Sequence, residues 1–413
     1  MKESKTAIVL GGTTPHVALV NKLKDRGYYV LLIDYLQNPP AKKVADEHIQ
    51  ESTLDQEKVL EIAKERNVDL VISSCIDQAN SVSCYVAEKL GLPHPYSYQT
   101  SLDVTNKGLM KKVFFDNGIP TSSYITTRSV ESIDWDKISY PAVVKPVDCN
   151  SSKGVHRVDS DAETRLRVQE AIELSRTGTA IIEGFNQGTE IQVDCISTAS
   201  GVKVIMTRQK QKNAAEGNAM VLQSYGSIFP APLSAELKCQ VQDIAEKIAS
   251  AFNLQNTPFF YQAIVTDVGI KVLEFAPRVG GGMSSYVLKA FADYDAVECV
   301  IDSFLGTPIS IEPKEQTTFH STILLYMKQG VFDHVEGIEQ QQEKGNIAEF
   351  FLLRKKGGKI DGDVRSANRI ASFIVEGKSY DELKQKARNA LSSIEIRDEQ
   401  GNPLLNREIY SSL

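Results

Sequence analysis

The clearest signal in this chain is FFYQAIVTDVGIKVLEFAPRVGGGMSS, Phe259 to Ser285. Strand-forming residues flank Thr266-Asp267-Val268-Gly269, and the glycine there is free to take a positive φ, so the segment reads as a β-hairpin running into a glycine-rich turn. A three-residue loop over Asp267, Val268 and Gly269 places Thr266 opposite Ile270 and Gln262 opposite Glu274. Directly opposed residues share a face, with Cβ atoms roughly 4.5–5.5 Å apart. Alternation along the strand then adds Ala276 and Arg278 to that face. A carboxylate, an amide and a guanidinium beside Gly280-Gly281-Gly282 suit a divalent cation and phosphate, which makes the hairpin the candidate chemical centre.

The rest of the chain sets limits on what such a centre serves. With 413 residues, 42% hydrophobic and 24% charged, there is material for about two to four domains of a soluble protein. A net charge of −7 argues against a nucleic-acid binder dominated by phosphate contacts. The polar start and the short apolar run Ala7 to Leu10, soon interrupted by Gly11-Gly12, read as a first buried strand and not a signal peptide. No segment approaches the ~20 apolar residues that cross a bilayer, so no membrane role is expected. The six cysteines are scattered without a CxxC, which points away from zinc and disulfides and toward a reducing cytoplasm.

Up to about residue 95 strands and helices alternate. Apolar runs at Thr6 to Gly12, Tyr28 to Asp34 and Asp69 to Ser73 are separated by helical patterns near Val17 to Arg26, Gln56 to Arg66 and Asn80 to Leu90. This alternation predicts a parallel α/β unit. A helical segment within Thr105 to Pro120 stops at Gly118 and Pro120. Further helices are expected near Asp161 to Leu174 and Glu236 to Phe252. The tail predicts strands at Ser321 to Tyr326 and Arg369 to Val375, then a helix from Tyr380.

Several motifs carry more than one reading. Gly11-Gly12-Thr13 with Asp34 downstream reads first as a tight strand-to-helix turn; the alternatives are a small-ligand site and, as part of a dinucleotide fingerprint without the full GxGxxG, a nicotinamide site. In Tyr140 to Val155, YPAVVKPVDCNSSKGV, an inward Lys145 precedes a Ser/Gly loop that suits phosphate oxygens, or is simply solvated. Glu183 and Glu190 in Ala180 to Asp194 are strand-end acids, either solvated or accepting from adenine and ribose. Arg208, Lys210 and Lys212 alternate on one strand face, by default a solvated basic face, otherwise the lining of an anionic site. His16 reads as a helix-start residue.

In this order the motifs resemble the ATP-grasp superfamily of carboxylate–amine ligases, over about residues 5 to 400. The layout is similar to biotin carboxylase, carbamoyl-phosphate synthetase halves, purine-pathway carboxylases and bacterial L-amino-acid ligases. The resemblance implies a mixed α/β and α+β chain. It has an N-terminal Rossmann-like pre-ATP-grasp domain (1–95), an ATP-grasp domain (96–310) with a lid at about 121–185, and a C-terminal α+β region (311–413). It implies Lys107 and Lys145 as phosphate-binding lysines and Ser151, Ser152 and Gly154 in the mobile loop. It implies Glu183 with the Phe185 backbone at adenine, and Glu190 at ribose. Glu274 and Gln262 become metal ligands, and Arg278 joins Lys145 as a catalytic cation. ATP with magnesium, or manganese in its place, small carboxylate and amine substrates, and a homodimer follow from the same resemblance. The alternatives are an ATP-binding protein with little turnover, an enzyme acting on bicarbonate, and an oxidoreductase built on Gly11-Gly12 and Asp34. Two departures stand out: Gln262 replaces an acid, and Ala276 replaces the asparagine of Glu-x-Asn-x-Arg.

Overall fold

The computed structural model describes residues 5–149, 153–213, 224–314, 316–361 and 368–413. The N-terminal alternation builds a four-stranded parallel sheet in the order Glu47–Ile49, Tyr28–Ile33, Lys5–Leu10, Leu70–Ile72. Such a sheet needs cover on both faces, and side-chain alternation supplies it. Ala7, Val9, Val30 and Leu32 pack with Leu19, Val20 and Leu23 of helix Thr14–Asp25. Ile8, Leu10, Leu31 and Ile33 pack with Val59, Ile62, Val82 and Val86 of helices Gln56–Glu65 and Asp77–Leu90. The first face also receives Val297, Val300 and Ile301 of helix Ala296–Leu305, so a shared core fastens this sheet to the later part of the chain.

Two helices begin three residues ahead of expectation. Thr14–Asp25 takes Pro15 into its first turn, where a missing N–H costs nothing. Asp77–Leu90 takes in Asp77, whose negative charge suits a helix N-terminus. Strand Glu47–Ile49 is too short to show any period.

The large sheet is antiparallel and has eight strands. Their order is Gly269–Ala276, Thr257–Thr266, Thr189–Thr198, Gly201–Lys212, Ser224–Phe229, Phe319–Tyr326, Arg369–Gly377, Glu349–Leu352. The tail strands therefore extend the same sheet that holds the hairpin. One face is sealed by helix Ala235–Ala251 through Val241, Ile244 and Ile248, and by helix Tyr380–Ser393 through Leu383, Ala387 and Leu391. The other face carries the polar side chains of the site. A third, four-stranded antiparallel sheet runs Tyr124–Thr127, Ala180–Gly184, Ala142–Pro146, His156–Val158. Helix Asp161–Leu174 backs it through Val168 and Ala171. Among the described residues no helix is long and apolar enough to cross a membrane.

Candidate active site

The hairpin turn is tighter than the sequence suggested. Thr266 pairs with Gly269, not Ile270, so the loop is the two residues Asp267-Val268, with Gly269 at φ +118°. Unbroken alternation from that turn would set Leu273 opposite Gln262. The ladder instead slips by one residue at Leu273, between the Ala263–Val272 and Gln262–Glu274 pairs. Such a bulge reverses the alternation. Ile270 and Val272 enter the core, and after the slip Phe275 does too, packing on Phe114 and Phe252 at centroid distances of 6.0 and 4.4 Å. Burying that ring is worth about 2–3 kcal/mol, and it leaves Glu274 across from Gln262 on the open face.

The register continues this row. Gln262 lies opposite Gln192, and Gln192 opposite Arg208, so Glu274, Gln262, Gln192 and Arg208 stand side by side across four strands. Neither the Glu274 carboxylate nor the Gln262 amide has a hydrogen-bond or ion-pair partner among the described residues. No three acids, histidines or cysteines converge among those residues, so a cation here meets one carboxylate and one amide oxygen. Magnesium takes oxygen ligands, keeps waters and is commonly held through one or two carboxylates plus phosphate, so this donor set suits it. Ala276, buried opposite Phe260, adds no ligand.

Beside the row, two lysines meet on Glu183. Lys145 Nζ lies 2.8 Å from Glu183 Oε1, and Lys111 Nζ 3.1 Å from Oε2. All three side chains are buried. Burial alone would raise the Glu183 carboxyl, but Lys145 and Lys111 outweigh it and hold it below its ordinary range. Burial, helped by Lys145, presses the Lys111 ammonium down against the pull of Glu183 and Glu274. Lys111 Nζ also donates to Thr121 Oγ1 at 2.6 Å, and Thr121 Oγ1 donates to Val272 O at 2.7 Å, which ties helix Lys107–Asp116 to the hairpin. Two cations on one anion leave surplus positive charge in a dry place, which favours an anionic guest. The Lys145 contact lacks hydrogen-bond alignment, so Glu183 Oε1 retains acceptor capacity.

Lys111 is absent from the sequence-based expectations. Its signal was there: it falls between Met110 and Phe114 on the buried stripe of its helix, where a lysine needs a partner. Lys107 begins that helix and donates from Nζ to Cys149 O at 2.7 Å. Ser151 and Ser152 lie outside the described residues. Gly154 sits at φ +71°, and a Cβ there would come 2.7 Å from Leu174 Cδ1, so glycine is required. Phe185 is exposed, with the Arg157 guanidinium 5.0 Å from its ring centre, and its N–H donates to Pro141 O at 3.1 Å.

The face of Arg208, Lys210 and Lys212 is not a solvated basic face. Arg208 donates to Asp194 Oδ2 from Nε at 2.9 Å and Nη2 at 2.5 Å, and from Nη1 to Ser284 Oγ at 3.0 Å. Lys210 and Lys212 both pair with Glu190, whose largely buried carboxyl they hold low against the opposing effect of burial. Each cation found an acid two positions along a neighbouring strand or directly across it, a pairing that periodicity cannot reveal. Gly280 lies over the same row: a Cβ there would meet Ser284 Oγ at 2.6 Å and Gln192 Nε2 at 3.0 Å. Ser284 itself opens helix Ser284–Ala292, where the sequence showed only a turn.

Arg278 extends onto Asp77 and the Phe260 ring, 5.2 Å from its centre. Its pKa is raised, because Asp77 outweighs the effect of burial. Glu274 lies close enough to add to this. At the first turn, both Asp34 oxygens are occupied, by Gly12 N at 2.7 Å and Leu36 N at 2.8 Å. A Cβ on Gly12 would strike Pro39 Cβ at 2.5 Å. The glycine pair thus serves a tight turn, which Asp34 fastens by accepting from Gly12 N and Leu36 N.

Residues 105–284 match the model of the phosphoribosylglycinamide synthetase ATP-grasp (A) domain, and residues 323–399 that of L-amino acid ligase C-terminal domain 2. The formate-dependent phosphoribosylglycinamide formyltransferase of Burkholderia thailandensis is 25% identical over 399 residues, 94% of each chain. That of Methanocaldococcus jannaschii is 25% identical over 318 residues, 75% of this chain and 78% of its own. Among solved structures, L-amino acid ligase from Bacillus licheniformis superposes with a TM-score of 0.78 at 19% identity, covering 97% of this chain and all of its own. N5-carboxyaminoimidazole ribonucleotide synthetase from Thermotoga maritima gives 0.73 at 20% identity, covering 96% of this chain and 100% of its own. The MgADP- and bicarbonate-bound biotin carboxylase domain dimer of Hydrogenobacter thermophilus 2-oxoglutarate carboxylase gives 0.73 at 15% identity, covering 98% and 92%.

Proposed function

We propose that this chain, which belongs to the ATP-grasp superfamily, is an ATP-dependent ligase that activates a small carboxylate and joins it to an amine. The observation that carries the reading is the unengaged Glu274 carboxylate opposite the unengaged Gln262 amide, beside the Lys111–Glu183–Lys145 cluster with its surplus cation. Relatives whose names denote ligases and a formyltransferase, and neighbours crystallised with ADP or MgADP, support it. In this reading residues 1–95 form the pre-ATP-grasp domain, 96–310 the ATP-grasp domain with its lid at 121–185, and 311–413 the C-terminal region. The setting is cytoplasmic and homodimeric, with small molecules as partners.

Glu274 and Gln262 would hold magnesium, or manganese in its place, which screens the β- and γ-phosphate charge when bound. Lys107 and Lys145 neutralise phosphate oxygens, and Ser151, Ser152 and Gly154 belong to the loop that closes over them. Glu183 Oε1 accepts from the adenine amino group. The Phe185 amide is already committed, which leaves its carbonyl for the same edge. Glu190 takes a ribose hydroxyl while sharing its oxygens with Lys210 and Lys212.

A substrate carboxylate oxygen attacks the γ-phosphorus as the bond to ADP breaks, giving an acyl phosphate. The amine nitrogen then attacks the acyl carbon, the bond to phosphate oxygen breaks, and the ammonium proton is lost to solvent. Positioning and charge stabilisation dominate such a step. Asp77 and Val279 O use three of the five Arg278 N–H groups, which leaves two for the charge that develops on the transferred group. The test is release of ADP and phosphate that requires both a carboxylate and an amine. Glu274→Ala abolishes that release while the unfolding midpoint stays unchanged; full activity in this variant rules the reading out.

A further inference from the structure

Asn80 and Ser303 are 2% and 4% exposed, and neither Asn80 Oδ1 nor Ser303 Oγ has a hydrogen-bond partner among the described residues. A buried polar atom left dry weighs against the fold, so each of the two needs a partner. Both line one cavity. It lies where helix Asp77–Leu90, helix Ala296–Leu305 and the Pro277-Arg278 stretch after the hairpin strand meet. Ser73 lines it too, but its hydroxyl is spent: it donates to Leu10 O at 2.8 Å and lies 3.3 Å from His16 Nε2.

Size and charge decide what fits. The cavity leaves about 10 Å³ for the centre of a water molecule, which is room for one water and nothing larger. Pro95, Pro258, Val300 and Phe304 give it apolar walls. Asp77 neutralises the Arg278 guanidinium on the same side, so no net charge draws an ion. A buried water typically makes about three hydrogen bonds, and Asn80, Ser303 and Arg278 offer that many. Asp77 and Asn80 stand one helical turn apart and share a face, so the turn that supplies the counter-ion of Arg278 also supplies the amide.

We propose that this cavity binds one water molecule and that Asn80 and Ser303 are positioning residues that act on Arg278 through it. The water donates to Asn80 Oδ1 and Ser303 Oγ. It accepts from one of the two N–H groups of Arg278 that Asp77 and Val279 O leave over, and the other stays with the cleft. The guanidinium is then held three times: by Asp77 directly, and through the water by Asn80 and by the helix that carries Ser303. Only the effect on kcat rests on the ligase reading above; the water and its effect on stability do not.

The experiment joins a crystal structure of the natural chain, at a resolution that shows waters, to urea unfolding and ADP release of Ser303→Ala, Asn80→Leu and the double variant. The structure shows a water within hydrogen-bond distance of both Asn80 and Ser303. Ser303→Ala lowers the urea midpoint, because it takes a partner from that water. Alanine is the better helix former, so the helix itself cannot cause the fall. In the Asn80→Leu background, where leucine displaces the water, the same substitution leaves the midpoint unchanged or raises it. A dry cavity reverses the first sign, since Ser303→Ala then removes an unpaired hydroxyl. A cavity without density, or a raised midpoint in Ser303→Ala, overturns the proposal. That variant alone decides the sign should Asn80→Leu fail to fold. Each single variant lowers kcat roughly 2–10-fold, the worth of one hydrogen bond, and leaves KM for ATP unchanged. The double variant loses no more than either single one, because both act through one water. An unchanged kcat beside a lowered midpoint overturns the positioning role. If the natural chain releases no ADP with any carboxylate and amine, the ligase reading fails, and the density and the midpoints still decide the water site.

Discussion

Arg278 donates to Asp77 through two hydrogen bonds, Nε to Oδ1 at 2.5 Å and Nη2 to Oδ2 at 2.6 Å, although 201 residues separate them. Asp77 is the first residue of a helix packed on the parallel sheet, and Arg278 follows the hairpin strand of the large sheet. A third bond, from Nη1 to Val279 O at 2.9 Å, and the Phe260 ring fix the guanidinium plane. The N-terminal unit thus orients the cation that the proposed ligase reading sets beside the transferred phosphoryl group.

Asp77→Asn keeps the shape of this contact and removes its charge, so kcat falls while KM for ATP holds. Asp77→Ala leaves a largely buried guanidinium without a counter-ion and lowers stability by about 3 kcal/mol. Urea midpoints and steady-state ADP release read both effects. A kcat in Asp77→Asn equal to that of the natural chain shows that Arg278 needs no orienting partner.

This pair also shows where sequence reasoning stops. The parallel sheet was legible because Ala7 to Leu10 and Tyr28 to Ile33 are unbroken apolar runs between helical patterns. Gln262 and Glu274 were legible as opposed residues, yet by a loop one residue too long. Leu273 corrects the register by bulging, and nothing in an apolar alternation marks which residue slips. Asp77, Lys111 and the pairing of Arg208, Lys210 and Lys212 with Asp194 and Glu190 were not legible. Their partners lie on other strands or helices, and a local period carries no record of which strands become neighbours. The same reason hid the continuity of the tail strands with the hairpin sheet.

His16 should make the fold sensitive to mild acid. It is fully buried, with Nδ1 2.8 Å from Thr13 Oγ1 and Nε2 3.3 Å from Ser73 Oγ, and burial lowers its pKa to about 4 although Asp34 opposes the shift. The unfolded chain binds this proton near 6.5 and the folded chain only near 4, so falling pH favours unfolding. The contribution is absent above about pH 7, grows as pH falls from 6.5, and levels off below about 4 at roughly 3 kcal/mol. Urea midpoints between pH 7 and 5 should fall in the natural chain and more shallowly in His16→Gln. Parallel slopes for the two proteins would place the acid sensitivity elsewhere.

The Lys111–Glu183–Lys145 cluster makes opposite predictions for its members. Glu183→Gln leaves two buried ammonium groups facing each other and costs about 3–5 kcal/mol. Lys111→Met leaves Glu183 and Lys145 matched one to one and replaces an ammonium that burial already disfavours, so stability is unchanged or higher. The signs with pH follow. The Glu183 carboxyl is held low, so its stabilising contribution is complete above about 4.5 and is lost as pH falls through its folded value. The Lys111 ammonium is also held low, so its charged form weighs against the fold below its folded value, and Lys111→Met lifts that penalty across the neutral range. The double variant Glu183→Gln with Lys111→Met therefore recovers part of the stability lost by Glu183→Gln alone. Lys111→Met binds ATP more weakly, because the surplus positive charge is gone. Urea unfolding at pH 7 together with KM for ATP measures both consequences, and a double variant no more stable than Glu183→Gln would show that the two lysines do not act on one acid.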